Sequence, residues 1–133
     1  MHEPKFLTLS HVIRIHDDMI AEYGGTAGIL NCGALESAVA MPQQSFGGEF
    51  LHSSLPEMAA AYSFHIIMGH CFIDGNKRTG MASGSIFILM NEHTFTQALD
   101  PSVAVSIAKH EISKEELAAL YAANIEPFKL NID

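Results

Sequence analysis

The feature that most constrains the fold is a pair of almost uninterrupted apolar stretches on either side of a charged run. The apolar stretches are MAAAYSFHIIM (58–68) and MASGSIFILM (81–90), and the run between them is HCFIDGNKRTG (70–80). In the segments 56–68 and 78–91 the apolar residues occupy nearly the whole circumference of a helix, which predicts two helices buried on most sides. We therefore expect a central helix pair joined by the charged run.

Capping and turn residues predict further helices, so the expected fold class is all-α. Gly80 and Gly84 lie one turn apart and are expected to let a neighbouring helix approach closely. The segment QQSFGGEFL (43–51) has Gly-Gly between short β-compatible flanks, which predicts a small β-hairpin. The helices are expected over about 11–22 after the cap Ser10, 34–41 before Pro42, 56–68 opened by Ser54 and Pro56, from Asp100 and Pro101 to about His110, and 114–124 after the capping box of Ser113 and Glu116.

The length and composition are those of an ordinary globular protein. The chain has 133 residues, so we expect one domain over 1–133, and 48% apolar with 17% charged residues is typical of a folded protein. Seven basic and fifteen acidic residues give a formal net charge of −8. This charge argues against nucleic acid and anionic membrane as direct partners, because their phosphates would be repelled.

The cysteines and the terminal sequence bear on the cellular compartment. Cys32 and Cys71 form no C-x-x-C pair and no disulfide framework, so we expect buried free thiols in a reducing compartment. The first residues, MHEPKFLTLSHVIRIHDD, reach His, Asp and Arg too early for a secretory signal. No apolar run approaches the ~18 residues of a membrane span. We therefore expect a soluble, cytoplasmic protein.

The charged run has the composition of a turn that opens a helix and binds an anion. Asp74, Gly75 and Asn76 are turn formers, and a turn that leads directly into a helix directs consecutive backbone N–H groups outward. Such an amide nest, with the helix dipole behind it, attracts phosphate. Lys77 and Arg78, the only adjacent basic pair, would lie in the first helical turn. Cations are disfavoured there unless an anion occupies the space in front of them.

Three further features of the run predict the chemistry of a bound phosphate. Asp74 places a carboxylate at the edge of the turn, where it suits a Mg²⁺ ion that bridges phosphate oxygens. His70 ends the preceding helix and carries an imidazole suited to removing a proton from an attacking hydroxyl near neutral pH. Phe72, between them, is expected to point into the core and anchor the loop. The set predicts a phosphoryl- or nucleotidyl-transfer site.

Structural explanations compete with this interpretation at each residue taken singly. Asp74 and Asn76 could be helix caps, and a lone histidine is usually structural. A plain turn, however, does not need His, Lys and Arg beside it, so the set favours function. A zinc site of His65, His70 and Cys71 is a minor alternative that lacks a known ligand spacing, and the P-loop pattern is absent. The remaining histidines are assigned by default to the surface or the core: His2, His11, His16, His52, His93 and His110.

Taken as a whole, HCFIDGNKRT (70–79) is similar to the signature of the Fic/Doc family in its Doc, or death-on-curing, branch. The stretch YGGTAGILNCGALESAVAMPQQSFGG (23–48) resembles the family's upstream loop, helix and flap. The resemblance implies a compact bundle of about six helices in which the signature joins two central ones. The implied roles are His70 as general base, acting with Lys77 and Arg78, Asp74 as the Mg²⁺ ligand, and Gly75, Asn76, Lys77, Arg78 and Thr79 as the nucleotide- and phosphate-binding set.

Two positions separate this signature from the Fic adenylyltransferase pattern H-x-F-x-D/E-G-N-G-R-x-x-R. Lys77 stands at the second glycine of that pattern and fills part of the space that a nucleotide's phosphates occupy in the adenylylating mode. Met81 stands at its last arginine, which clamps the outer phosphates. Doc toxins share both changes, and the resemblance implies transfer of the γ-phosphate of ATP to a hydroxyl on the elongation factor that delivers aminoacyl-tRNA. Gly75 stands where several Doc toxins carry alanine.

Two alternatives to phosphoryl transfer remain, and so does the question of control. The alternatives are transfer of AMP to a protein and a non-catalytic module that binds a peptide. Many Fic proteins carry an inhibitory helix marked S/T-x-x-x-E-G/N, but no glutamate of this sequence is followed by Gly or Asn. The resemblance therefore implies an antitoxin in trans, whose disordered C-terminal segment folds into an apolar groove beside the active site.

Overall fold

The computed structural model describes residues 3–128, and this part of the chain is mostly helical, as the sequence predicts. It contains six α-helices and two short antiparallel strand pairs. The helices are α1 (Leu9–Tyr23), α2 (Cys32–Ala40), α3 (Leu55–Met68), α4 (Asn76–Met90), α5 (Ser102–Ala108) and α6 (Lys114–Ala123). The strands are β1 (Ser45–Phe46), β2 (Glu49–Phe50), β3 (His93–Phe95) and β4 (Ile125–Pro127).

The central helix pair is α3 and α4, which pack against each other more extensively than any other two elements of residues 3–128. The close approach expected at the glycines of α4 is confirmed. A Cβ atom at Gly80 would lie 2.7 Å from Ile67 Cγ1 and 2.9 Å from the Ser63 carbonyl oxygen, and one at Gly84 would collide with Ser63 Oγ and Tyr121 Oη. Ser63 Oγ donates to the Gly80 carbonyl oxygen and lies 2.7 Å from Tyr121 Oη, so α3 joins α4 to α6 inside the core.

The cap of α1 differs from the sequence prediction. Thr8, not Ser10, is the N-cap: its side chain accepts a hydrogen bond from His11 N, and His11 Nδ1 accepts from Thr8 N. Both residues can cap, and the reciprocal bond with His11 decides between them. The second helix also begins earlier than expected, at Cys32, because Asn31 Oδ1 accepts from Ala34 N.

The caps at Ser54 and Ser113 are confirmed, while the boundaries of two other helices differ by one or two residues. Ser54 accepts from Glu57 N and Ser113 accepts from Glu116 N. The fourth helix begins at Asn76 rather than 78, and α5 spans Ser102–Ala108, shorter at both ends than expected.

The hairpin predicted around Gly47 and Gly48 is confirmed as β1–β2, in which Phe46 pairs with Glu49. The turn glycines have φ angles of 62° and 83°, which residues with side chains rarely adopt. The pairing of β3 with β4 was not predicted, because it joins segments far apart in the sequence and each strand has only three residues.

The expectation of buried thiols holds for one cysteine only. Cys71 is fully buried, and burial raises the pKa of its thiol to about 11. Cys32 is exposed at the start of α2, so the prediction is wrong for this residue. Among residues 3–128 no helix has both the length and the apolarity needed to cross a membrane.

Candidate active site

The signature lies where the chain leaves α3 and enters α4. The third helix ends at Met68, and His70 then has a φ of 45°, in the left-handed region that turns the chain sharply. Gly75, with a φ of 80°, is the N-cap of α4 and supplies no capping side chain. We call residues 70–75, which lie between the two helices, the signature turn.

Two hydrogen bonds from the side chain of Asn76, the first residue of α4, stabilise the signature turn. Its Oδ1 atom accepts from Phe72 N at 2.9 Å and its Nδ2 atom donates to the Phe72 carbonyl oxygen at 2.8 Å. Phe72 is buried as expected, and its ring stacks on that of His16 with 3.8 Å between ring centroids. The alternative in which Asn76 or Asp74 merely caps α4 is therefore excluded, because neither side chain caps it.

The uncapped start of α4 leaves backbone donors available. The amides of the N-cap and of the first three residues of an α-helix have no acceptor within the helix, and here these are the amides of residues 75–78. The first amide within the helical hydrogen-bond ladder is Thr79 N, which donates to the Gly75 carbonyl oxygen at 2.9 Å. The amides of Gly75, Asn76 and Lys77 thus have no acceptor within α4, and their role as an anion-binding nest stays a prediction.

The upstream loop, residues 24–31, is hydrogen-bonded along the signature turn. Leu30 N and Asn31 N donate to the Cys71 carbonyl oxygen, and Ile73 N donates to the Gly28 carbonyl oxygen at 3.1 Å. These bonds fix the outer edge of the turn. They explain why this glycine-rich loop, which has three glycines at positive φ, lies next to the signature.

Asp74 is held in place by the same loop. Its Oδ2 atom accepts from Thr26 N at 2.9 Å, and the carboxylate stays exposed at the edge of the turn. One carboxylate beside a phosphate site is what Mg²⁺ commonly uses, since this ion takes most of its ligands from phosphate and water. The donor chemistry at Asp74 therefore fits a magnesium ion held jointly with a nucleotide.

The other signature side chains differ in accessibility. His70 is exposed. Lys77 and Arg78 are exposed, and the Arg78 guanidinium carbon lies 4.4 Å from the ring centroid of Tyr23, a cation–π contact. Thr79 is fully buried, and its phosphate contact stays a prediction.

A large apolar groove begins at the signature and follows α4. It has a volume of about 800 Å³. It starts at Gly75–Arg78 and continues between the C-terminal part of α1 and the N-terminal half of α5, with the residues that precede α5. Its apolar walls include Met19, Tyr23, Met81, Phe95, Leu99 and Val105. Met81, at the position of the final arginine of the Fic pattern, thus contributes an apolar wall.

A family model described as the Fic/DOC family matches residues 6–88 of this sequence.

The chain belongs to the Fic/Doc family.

Two relatives from this family carry descriptive names. The chain is 30% identical over 115 residues to "Protein kinase doc" of Escherichia phage P1, an alignment that covers 86% of this chain and 90% of the relative. It is 35% identical over 69 residues to "Toxin Doc" of Mycolicibacterium smegmatis, covering 52% of this chain and 53% of the relative. The resemblance inferred from the signature is confirmed, and the similarity to the phage protein extends well beyond it.

Sequence reasoning missed three residues that support the Fic/Doc signature: His16, Tyr23 and Thr26. His16 and Tyr23 are seven residues apart on α1, so they share one helical face, which is the signal that could have found them. Thr26 acts through its backbone amide, for which the sequence gives no side-chain signal.

The zinc alternative receives no support from the geometry of residues 3–128. No three His, Cys, Asp or Glu side chains converge there to hold a metal ion. Cys71 is buried, and His65 Nε2 instead lies 3.2 Å from Lys114 Nζ. Burial and the Lys114 charge lower the pKa of His65 to about 4.

Proposed function

We propose that this chain is a Doc-like toxin that transfers the γ-phosphate of ATP to a hydroxyl group on a protein. By resemblance, the target is the translation elongation factor that delivers aminoacyl-tRNA. The observation that carries the proposal is the uncapped N-terminus of α4, which has Lys77 and Arg78 in its first turn and Asp74 beside it. A helix start of this kind costs stability unless an anion occupies it.

In the proposed reaction His70 acts as the general base. Its exposed imidazole accepts the proton of the target hydroxyl, whose oxygen forms a bond to the γ-phosphorus as the bond to the β,γ-bridging oxygen breaks and ADP leaves. The amides of Gly75, Asn76 and Lys77 donate hydrogen bonds to phosphate oxygens. These donors are already oriented before the nucleotide binds, so little reorganisation is needed during transfer.

Charged side chains complete the proposed phosphate site. Asp74 would hold Mg²⁺ together with phosphate oxygens, and the ion would supply positive charge against the developing negative charge. Lys77 and Arg78 would contact phosphate directly. The ring of Tyr23 limits the freedom of the Arg78 guanidinium, so less conformational entropy is lost when the phosphate binds.

An antitoxin in trans is the proposed means of restraint. The groove of about 800 Å³ starts at the amide nest and is lined mainly by apolar side chains, so a helix that fills it would also cover the site. The sequence contains no inhibitory motif of the Fic type. A target in translation and the need for ATP favour the cytoplasm as the compartment.

The deciding experiment incubates the purified protein and a cell lysate with ATP labelled at either the α or the γ position. We expect protein-bound label from γ-labelled ATP only, and none with the His70→Ala variant. Label from the α position only would establish AMP transfer instead. No label from either position, under conditions where the protein binds ATP, would favour the non-catalytic peptide-binding module.

A growth experiment tests the toxin proposal separately. Expression of the wild-type chain alone should arrest growth, His70→Ala should relieve the arrest, and co-expression of a small protein encoded beside it should restore growth. Normal growth with abundant wild-type protein would contradict the toxin proposal while leaving the transferase proposal open.

A further inference from the structure

His16 is a buried polar side chain that the proposed reaction does not use. It lies in the middle of α1 and is 2% exposed. Its ring is stacked on Phe72 with an angle of 5° between the ring planes, and a Cβ atom at Gly75 would lie 3.6 Å from its Cδ2 and Nε2 atoms. The imidazole is therefore enclosed directly beneath the signature turn.

The hydrogen bond made by this ring goes to the residue that would hold the metal. His16 Nε2 lies 2.8 Å from the main-chain carbonyl oxygen of Asp74. A carbonyl oxygen can only accept, so Nε2 carries the hydrogen and donates it. The other ring nitrogen, Nδ1, faces Asp17 Oδ1 at 3.9 Å.

Asp74 is thereby held at two points, its main-chain carbonyl group and its carboxylate. His16 holds the carbonyl group from inside, and the amide of Thr26 holds Oδ2 from outside. With the main chain and one carboxylate oxygen restrained, the direction of the other oxygen, Oδ1, is set as well. Groups that orient a metal ligand in this way normally change metal affinity when they are removed.

We infer that His16 is a positioning residue, which orients the Asp74 carboxylate for a divalent metal through the hydrogen bond from Nε2 to the Asp74 carbonyl oxygen. The inference rests on the proposed function in one respect, the role of Asp74 as the metal ligand. It does not depend on which phosphate of the nucleotide is transferred.

Two substitutions separate the hydrogen bond from the packing of the ring. His16→Phe keeps an aromatic ring against Phe72 but removes the donor, whereas His16→Gln retains an amide donor and loses the ring. Tyr62→Phe is the matched control. Tyr62 is fully buried and its hydroxyl accepts a hydrogen bond from Leu7 N at 2.9 Å. The substitution therefore removes a buried hydrogen bond between a side chain and the backbone, but outside the signature.

The primary measurement is the affinity of each protein for Mn²⁺ in the presence of ATP, followed by electron paramagnetic resonance. We expect His16→Phe to weaken Mn²⁺ binding by about 10- to 100-fold. His16→Gln should recover part of the affinity. Tyr62→Phe should bind Mn²⁺ like the wild type, even if its unfolding midpoint falls as far as that of His16→Phe. Hydrogen exchange at the Thr26 amide should become faster in His16→Phe alone.

The outcomes distinguish this inference from the proposed function. Equal Mn²⁺ affinity in His16→Phe and the wild type would overturn the inference and reduce His16 to a packing residue. A wild-type protein with no measurable Mn²⁺ binding beside ATP would overturn it too, because Asp74 would then hold no metal. Absence of γ-phosphate transfer with intact Mn²⁺ binding would overturn only the proposed function.

Discussion

The N-termini of α4 and α6 differ in each feature that normally stabilises the start of a helix. At α6, Ser113 accepts from Glu116 N, Glu116 Oε1 accepts from Ser113 N, and two glutamates lie in the first turn. At α4 the cap is Gly75, no side chain caps the helix, and no acidic residue lies in the first turn.

The difference indicates that the two helix ends have different tasks. The capping box and acidic residues of α6 satisfy its amides and its dipole from within the chain, which stabilises the fold. The start of α4 has no capping side chain, and Lys77 and Arg78 add positive charge at an end that is already positive. Under the proposed function these amides bind a phosphate. The start of α4 is therefore less stable than a capped helix start would be, and a bound phosphate would offset this loss.

The largest expected effect comes from removing the proposed base in front of α4. His70→Ala should lower the rate of phosphoryl transfer by about 10²- to 10⁴-fold. The free energy of unfolding should fall by only about 1 kcal/mol, because the side chain is exposed and the main cost is alanine at the positive φ of residue 70. Single-turnover rates with labelled ATP and urea unfolding measure the two quantities. A variant that retains near-wild-type turnover would remove His70 from the mechanism.

Reversing the charge at the start of α4 should affect stability and activity in opposite directions. Lys77→Glu gives α4 an acidic first turn like that of α6, so the free energy of unfolding should rise by about 0.3–1 kcal/mol. Transfer should fall by about 10- to 100-fold, since a contact to phosphate is lost. Lys109→Glu, at the end of α5, is the matched charge change and should leave transfer unchanged. Loss of both stability and activity in Lys77→Glu would contradict the comparison.

Lowering the pH should reduce the free energy of unfolding through His65, which contacts the first residue of α6. Lys114, the first residue of α6, has its ammonium nitrogen 3.0 Å from His52 Nε2 and 3.2 Å from His65 Nε2. Burial and the Lys114 charge lower the pKa of His65 from 6.5 to about 4. They also lower the pKa of His52, where Glu57 and Glu115 act in the opposite direction. Between about pH 6.5 and 4 the unfolded chain therefore binds a proton that folded His65 does not.

The contribution of His65 to the free energy of unfolding therefore falls as the pH is lowered through this window and levels off below it. Urea unfolding at a series of pH values should show a weaker decline in His65→Gln than in the wild type. His110→Asn, which replaces an exposed histidine at positive φ with a residue that tolerates it, should keep the full decline. Identical pH profiles for His65→Gln and the wild type would exclude this cause.

The smallest expected effect is the loss of the α6 cap. Ser113→Ala should lower the free energy of unfolding by about 1 kcal/mol and leave transfer unchanged, because the capping box lies outside the signature. Ser37→Ala, in the exposed interior of α2, is the control and should be neutral or slightly stabilising. A change in transfer rate comparable to that of Lys77→Glu would show that the two helix ends are not independent.

The sequence predicts those parts of the fold whose cause is local. Ser54 and Ser113 are adjacent to the amides that they cap, and the turn of Gly47 and Gly48 needs positive φ angles that glycine adopts freely. The central helix pair is predictable because apolar residues occupy nearly the whole circumference of each helix. The turn into α4 is predictable for the same reason, since Gly75 takes the positive φ angle at the N-cap of this helix.

The remaining features depend on residues that are distant in the sequence. The hydrogen bond between His16 and Asp74 spans 58 positions, and no local pattern separates a histidine in this role from one that merely fills the core. The pairing of β3 with β4 is equally non-local. At α1 the choice between two possible caps, Thr8 and Ser10, depended on a reciprocal bond from a histidine, where glutamate or glutamine is the usual partner.

The most direct test of the central claim compares the backbone amides of the two helix ends during a titration with Mg²⁺ and ATP. Two-dimensional ¹H–¹⁵N spectra report each amide separately. We predict saturable shifts of the Asn76, Lys77 and Arg78 amides, with those of Lys114 and Glu116 unmoved. Saturation with unmoved amides at residues 76–78, or equal shifts at both helix ends, would contradict the account.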